Sequence, residues 1–209
     1  MSPIKRNRMK NLLIILSALI FSNVSAQRDH GPVTDTCPSP NEVPIRTFTE
    51  IPEDACYYLK DTNNELPAYE GTWKGTWNNR TILITFKKVT KNYNTTLKYF
   101  KDYLIAKFIV KDNNGTVLFD NTNLVDYNAK IYGSGFRKID NKYSLIYIDP
   151  DLCDITGSVR INFTDASKTK LEWKYFQDPD LVETSCFYHG LPESQRPDPL
   201  PKNVVLIKQ

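Results

Sequence analysis

Apolar and polar residues alternate with a period of two through most of the chain. In the segment Ala68–Asn78, aromatic residues or glycine occupy the odd positions from Tyr69 to Trp77, and polar residues occupy the even positions from Glu70 to Thr76. Residues two apart share one face of a β-strand. The pattern therefore predicts a strand with one aromatic, buried face and one solvated face.

Similar segments follow, separated by short polar turns. Asn78-Asn79 predicts a turn, and the Asn-Gly step at Asn114-Gly115 is a strong hairpin signal. No long helical period lies between the segments, which excludes a parallel sheet with crossover helices. The further predicted strands are Thr81–Val89, Thr96–Lys111, Thr116–Phe119, Lys130–Tyr132, Tyr143–Ile148, Ser158–Phe163, Lys170–Phe176 and Val204–Lys208.

About eight to ten strands of this kind predict an all-β protein whose antiparallel up-and-down sheet is closed into a barrel or folded into a barrel-like sandwich. Prolines cannot donate to a sheet ladder, and they cluster on both sides of the predicted strands. We therefore predict an irregular N-terminal arm over residues 27–61, with a short helix at Pro52–Lys60, and a β domain over residues 62–209.

Residues 1–26 have the organisation of a secretory signal peptide. Residues 1–10 carry four positive charges and no negative one, Leu12–Phe21 is an apolar run, and small residues occupy Val24-Ser25-Ala26. The run is roughly half the ~20 residues that a membrane-spanning helix needs. We expect cleavage before Gln27, no transmembrane anchor afterwards, and export to the periplasm or the medium.

The four cysteines, Cys37, Cys56, Cys153 and Cys186, all lie in the part expected to be exported. An even number in an oxidising compartment predicts two disulfides, for which three pairings are possible. We favour Cys37 with Cys56 and Cys153 with Cys186, because each bridge would hold a proline-bearing segment against its neighbour. No two cysteines have Cys-x-x-Cys spacing, so we expect no zinc or other metal.

The charge balance disfavours a nucleic-acid partner. The whole chain has a formal net charge of +3, but the predicted signal peptide contains four basic residues and no acidic one, so its removal leaves −1. Binding to a polyanion depends on a basic patch that releases counterions. The mature chain lacks such a stripe, and we expect no nucleic acid to bind it.

The segment Gly71-Thr72-Trp73 resembles the Gly-x-Trp start of the lipocalins and avidins. Those families build small-molecule cups from antiparallel barrels, so the resemblance implies a calycin-like barrel. In lipocalins the tryptophan closes the barrel floor and packs against a basic side chain near the last strand. In this chain the corresponding strand offers only Lys208.

A second resemblance covers most of the mature chain. It is carried by four segments, Lys60–Leu66, Gly71–Trp77, Lys101–Ile105 and Leu200–Leu206. Together these segments are similar to a family of small exported Bacteroidota proteins that has no assigned function. The resemblance therefore implies no catalytic residue.

Candidate catalytic and metal-binding residues are few, and no common hydrolase or phosphate-binding motif is present in the sequence. Glu70 and Glu172 are the candidates for a glycosidase pair, but both lie on the polar faces of predicted strands. Asp149, Asp151 and Asp154 crowd one loop, although they lack the glycine-bearing loop of a strong calcium site. We interpret these five residues as solvent-facing or turn carboxylates.

The aromatic strand supplies the functional hypothesis. Tyr69, Trp73 and Trp77 either pack a filled core or line a cup for an apolar or sugar-like ligand. The leading prediction is a non-enzymatic binding module for a small apolar or amphipathic molecule or a glycan, with no cofactor. The alternatives are a protein-interaction or surface structural domain with a filled core and, third, a hydrolase that acts through carboxylates.

Overall fold

The structure is a computed structural model that describes Cys37 and residues 39–47, 56–179 and 182–209. The predicted signal peptide and most of the predicted arm lie outside these residues. In the described part, helical residues occur only as short 3₁₀ turns. The strands are β1 (Asn41–Pro44), β2 (Tyr57–Lys60), β3 (Gly71–Trp77), β4 (Arg80–Asn94), β5 (Tyr99–Lys111), β6 (Val117–Asp120), β7 (Ile131–Phe136), β8 (Tyr143–Asp149), β9 (Ile155–Phe163), β10 (Lys170–Gln177) and β11 (Asn203–Lys208).

Eight of these strands form a closed antiparallel barrel in the order β5, β4, β3, β11, β10, β9, β8 and β7. The barrel closes where β7 pairs with β5, with Ile105 opposite Tyr132 and Ala106 opposite Ile131. Most neighbours in the barrel are also neighbours in sequence, because two-residue and other short turns join them. The prediction of an all-β, up-and-down antiparallel sheet is confirmed, and the sheet closes as a barrel.

The N-terminal strands β1 and β2 extend the sheet beside β5. Strand β2 runs parallel to β5, with Tyr58 opposite Phe100, and β1 runs parallel to β2. The predicted helix over Pro52–Lys60 is therefore wrong for residues 57–60, and residues 52–55 lie outside the described part. Burial of Tyr58 and Leu59 by pairing with β5 outweighs the local helix-start signals around Pro52.

Large side chains fill the interior of the barrel. Six aromatic residues that point inward or close the barrel are each less than 2% exposed, and burial of one such ring stabilises the fold by roughly 1.5–3 kcal/mol. Gly157 makes room for one ring, since a Cβ there would lie 2.4 Å from the side chain of Tyr175. The interior is thus a packed core rather than an open cup. The six residues are Trp73, Phe86, Phe108, Tyr143, Tyr147 and Trp173.

One end of the barrel, the Tyr69 end, is closed by the 3₁₀ turn Leu66–Tyr69. The predicted strand therefore starts at Gly71 rather than Ala68, because Pro67 lies in the first turn of the 3₁₀ segment and fixes its backbone. The indole N–H of Trp73 donates to the backbone oxygen of Tyr69 at 2.8 Å. Lys208 Nζ lies 5.3 Å from the Trp73 ring centroid, which is the contact that the lipocalin resemblance implies.

The opposite end, the Trp77 end, is covered by the proline-rich C-terminal segment. Tyr188 is 1% exposed, and its hydroxyl donates to the Leu152 carbonyl oxygen at 2.9 Å. The disulfide between Cys153 and Cys186, with a Cα–Cα distance of 5.8 Å, fixes the segment beside β9. The predicted pairing is confirmed for this bridge and for Cys37–Cys56, the remaining two cysteines, whose Cα atoms lie 5.6 Å apart.

Candidate functional site

An open groove of about 1160 Å³ lies at the Trp77 end, between the β3–β4 hairpin, the end of β10 and residues 194–203. We call it the Trp77 groove. Three of its lining residues are apolar, and nine are polar or charged, so the lining combines polar and apolar surface. The lining residues are Trp77, Pro179 and Pro197, together with Asn78, Arg80, Gln177, Asp178, Ser194, Arg196, Asp198, Lys202 and Asn203.

A tight hairpin places Trp77 at the rim of the barrel. Asn78 and Asn79 have left-handed backbone angles, with φ of 42° and 59°, as a two-residue primed turn requires. The turn sets Trp77 opposite Arg80 in the ladder, and the Arg80 guanidinium carbon lies 6.0 Å from the Trp77 ring centroid. Trp77 is the last inward position of β3, so its half-buried indole lies where the core meets solvent.

The three tryptophans differ in their hydrogen bonds. Trp73 donates its indole N–H to Tyr69, and Trp173 donates to the backbone oxygen of Pro201 at 2.9 Å. Among the described residues, the indole N–H of Trp77 has no hydrogen-bond partner. An unpaired buried donor is costly, and an ordered water commonly supplies the acceptor in such a place. Of the predicted ligand residues Tyr69, Trp73 and Trp77, only Trp77 lines the groove.

Arg80 joins the hairpin to the proline-rich segment. Its Nη1 donates to the backbone oxygen of Asp198 at 2.8 Å and lies 3.7 Å from the Asp198 carboxylate. Both contacts are made within the chain, so the Arg80 charge is largely balanced. This pair forms one wall of the groove.

Two other cations of the groove are bound only to neutral oxygens. Lys202 Nζ donates to the side-chain oxygen of Gln177 at 2.6 Å, and Arg196 Nε donates to the backbone oxygen of Leu191 at 3.1 Å. Within the described ranges, neither cation has a carboxylate within ion-pair distance. Their positive charges therefore remain available to an anionic group.

The candidate glycosidase carboxylates each have separate partners. Glu70 accepts the backbone N–H of Lys88 at 2.7 Å. Glu172 forms ion pairs with Lys142 and Lys174, and hydrogen bonds from these two lysines lower the pKa of its carboxyl group. A general acid in a glycosidase needs a raised pKa, which is the opposite direction.

In the acidic loop at Asp149, Lys130 pairs with two of the three carboxylates. Asp149 is 3% exposed and accepts hydrogen bonds from the Tyr147 hydroxyl at 2.6 Å and from Lys130 Nζ, which also lies 2.7 Å from Asp151. Burial, followed by the charge of Asp149, raises the Tyr147 pKa far above its usual value. In the residues that the structure describes, no group of three or more His, Cys, Asp or Glu side chains is placed to hold a metal ion.

A buried polar network, which the sequence pattern did not indicate, lies where β2, β4 and β5 meet. Lys88 Nζ lies 2.9 Å from Asp61 Oδ2 and 3.9 Å from Asp102 Oδ2, and Asp102 accepts the Tyr58 hydroxyl at 2.6 Å. Burial, followed by this hydrogen bond, raises the Tyr58 pKa well above its usual value. Both carboxylates also accept backbone N–H groups, so the network is saturated and structural.

Lys101 is a partly enclosed cation next to an irregularity in β7. Its Nζ donates to the backbone oxygen of Ser134, at the point where the β7–β8 register shifts between Gly133 and Gly135. Burial lowers the pKa of Lys101 to about 8. Within the described ranges no carboxylate pairs with it, so the charged form of Lys101 lowers the stability of the folded state.

The fold and the groove define a closed antiparallel barrel with a packed interior and a groove of mixed polar and apolar lining at one end. A family model described as "Family of unknown function (DUF6705)" matches residues 9–209, and the chain belongs to that family. Comparisons with curated proteins and with solved structures returned no match to this chain. None of the helices in the described residues has the length and apolar character needed to cross a membrane.

Proposed function

We propose that this protein is an exported, non-enzymatic binding module whose ligand site is the Trp77 groove rather than the barrel interior. The observation that carries the proposal is the contrast between the two places. Trp73 and Trp173 are 0% and 1% exposed in a packed core, whereas Trp77 is half-buried and lines an open groove. A ligand inside the barrel would have to displace several buried rings.

The lining of the groove favours a saccharide over an apolar molecule. Asn78 and Asn203 offer amide donors and acceptors that suit sugar hydroxyl groups, and the Trp77 ring offers a face for the C–H side of a pyranose. An apolar ligand would cover these amides without pairing them, at a cost of about 1–3 kcal/mol for each unpaired group. Among the apolar, amphipathic and glycan ligands considered from the sequence, we therefore propose a glycan.

The two carboxylates of the groove support binding rather than hydrolysis. Asp178 accepts the Thr156 hydroxyl at 2.9 Å, and Asp198 faces Arg80. Each acid thus has a structural partner already. In the described lining, no histidine or cysteine is present that could act as a base or nucleophile.

Export is supported by the cysteines and by the sequence of the first 26 residues. Disulfides form and persist in oxidising compartments, and all four cysteines are paired. Two bridges in one small domain fit a protein that works outside the cytoplasm.

The test is direct binding of saccharides to the oxidised mature chain, residues 27–209. Isothermal titration against a panel of neutral and acidic oligosaccharides should find at least one ligand. Trp77→Ala should weaken that ligand by about 2 kcal/mol, or roughly thirtyfold in Kd, as for a central aromatic contact. Tyr127→Ala is the matched control, because Tyr127 is a 65% exposed aromatic residue outside the groove lining. Equal losses in both variants, or no binding by the unaltered protein, would contradict the proposal.

A protein-interaction domain with a filled core is the second candidate. The observation that favours it is a loop fixed by the Cys153–Cys186 bridge, in which Phe187 is 67% exposed and Leu191 is 37% exposed. Apolar side chains on a rigid base are suited to contact with another protein. Failure of every saccharide to bind would favour this second function.

A further inference from the structure

The charges of the Trp77 groove are distributed unevenly. Arg80, Arg196 and Lys202 line it together with only two acids, Asp178 and Asp198. The formal charge of the lining is therefore +1, whereas the chain without its first 26 residues carries −1. The groove is a positive site on a slightly negative protein.

The excess charge is located on two residues. Arg80 is paired with Asp198, so it contributes little net charge to an incoming ligand. Arg196 and Lys202 donate only to an uncharged carbonyl and an uncharged amide. A neutral acceptor satisfies one donor of each group, but it leaves the charge uncompensated, and both groups retain further N–H donors.

We infer that the Trp77 groove selects anionic saccharides and that Arg196 and Lys202 bind the carboxylate or sulfate group while Trp77 packs against the sugar ring. This inference rests on the proposed function, because it names the class of glycan that the same groove takes. Charge-assisted hydrogen bonds from a guanidinium or ammonium group to such an anion are shorter and stronger than those to neutral oxygens. The two residues are therefore specificity-determining rather than essential for binding any sugar.

Lys202 is also held in place for this role. Its ammonium group lies 4.8 Å from the ring centroid of Tyr175, a residue that is 3% exposed, and it is fixed by Gln177 at the end of β10. A cation positioned by a buried ring and a strand end loses little freedom when it binds an anion.

The experiment compares each acidic sugar with an uncharged form of the same ring. The oxidised mature chain is titrated with a galacturonic acid trimer, its methyl ester, a sulfated galactan trimer and its desulfated form, in 50 mM and 500 mM NaCl. We expect an acid to bind about tenfold or more tightly than its uncharged partner at low salt, and this ratio to fall at least threefold at high salt. Comparison of the galacturonic acid pair with the sulfated galactan pair shows whether the groove prefers a carboxylate or a sulfate group.

Variants assign the preference to the two cations. Arg196→Gln and Lys202→Gln should each lower the acid-to-neutral ratio by about three- to tenfold, and Lys202→Arg should keep the preference. Lys74→Gln is the matched control, because Lys74 is an exposed lysine of β3 that lies outside the groove lining.

The outcomes separate this inference from the proposed function. Equal affinity for the charged and uncharged forms, with binding still lost in Trp77→Ala, would overturn the charge selectivity and leave the glycan site standing. A charge preference that survives Arg196→Gln and Lys202→Gln would also overturn it. Absence of binding to all four sugars would overturn the charge selectivity, and absence of binding to the whole saccharide panel would overturn the proposed function as well.

Discussion

Substitution of Lys88 by methionine should strongly destabilise the protein. Lys88 Nζ is the only described cation within ion-pair distance of Asp61 and Asp102, whose side chains are 0% and 3% exposed. Methionine keeps the length of the side chain but leaves two buried carboxylates without a counter-charge. Removing one partner of a buried ion pair costs about 3–5 kcal/mol.

The lower end of that range applies here. Asp61 also accepts the backbone N–H groups of Glu65 and Leu66, and Asp102 accepts those of Asp61 and Lys91. These donors continue to stabilise the carboxylates after the lysine is removed. We therefore expect a loss of about 3 kcal/mol, a large part of the 5–15 kcal/mol that stabilises a typical domain.

Urea unfolding of the oxidised mature chain at pH 7 measures this loss. For a urea dependence of about 2 kcal/mol per molar, the midpoint should fall by roughly 1.5 M. Lys87→Met is the matched control, because Lys87 is the neighbouring residue and forms a surface ion pair with Asp126, with its side chain 61% exposed. Its loss should cost less than about 1 kcal/mol. The two variants could instead unfold with free energies that agree within about 0.5 kcal/mol, which is the ordinary scatter for surface substitutions. That result would refute the role assigned to the network.

Two further predictions concern Lys101 and the second disulfide. The folded-state pKa of Lys101 is lowered to about 8, so between pH 8 and its ordinary value of 10.5 the unfolded chain holds a proton that the folded chain has lost. The stability of the unaltered protein therefore rises with pH in this window. Lys101→Met removes the buried charge, so the variant should be the more stable protein at pH 8. Its excess free energy of unfolding, measured by urea titration, should shrink by about 2 kcal/mol from pH 8 to pH 10. A pH-independent difference would contradict the lowered pKa. Cys153→Ser with Cys186→Ser opens a loop of sequence separation 33 and should cost about 3–4 kcal/mol in the same assay. Because this bridge fixes the segment that forms one groove wall, the double variant should also bind saccharide more weakly, and unchanged affinity would show that the wall does not depend on the bridge.

The alternation of side chains was sufficient to predict the barrel strands, because each strand has one face in the core. It predicted Trp73 inside the barrel, and the observed disulfide pairing is the one favoured because each bridge would hold a proline-bearing segment against its neighbour. The helix-start residues around Pro52 predicted a helix that is wrong at residues 57–60, because pairing with β5 outweighs helix propensity there. They also placed Tyr69 on a strand, although Pro67 holds that residue in a 3₁₀ turn.

The polar features were beyond what periodicity can predict. Asp61 and Asp102 are 41 residues apart and meet only because β2 lies parallel to β5. Both aspartates lie in segments that carry the family resemblance, Lys60–Leu66 and Lys101–Ile105. That resemblance was the one feature of the sequence that could have pointed to the buried network. The groove likewise combines Trp77, which the pattern singled out, with Arg196 and Lys202 from a proline-rich segment that has no period.

The location of the ligand site is tested most directly by ¹⁹F NMR of the mature chain labelled with 5-fluorotryptophan. The protein has three tryptophans, so three resonances are expected, and the one that disappears in Trp77→Phe belongs to the groove. On titration with the tightest-binding saccharide, the Trp77 resonance should shift while those of the buried Trp73 and Trp173 stay in place. A shift of the Trp73 or Trp173 resonance with Trp77 unchanged would place the ligand inside the barrel and contradict the proposed site.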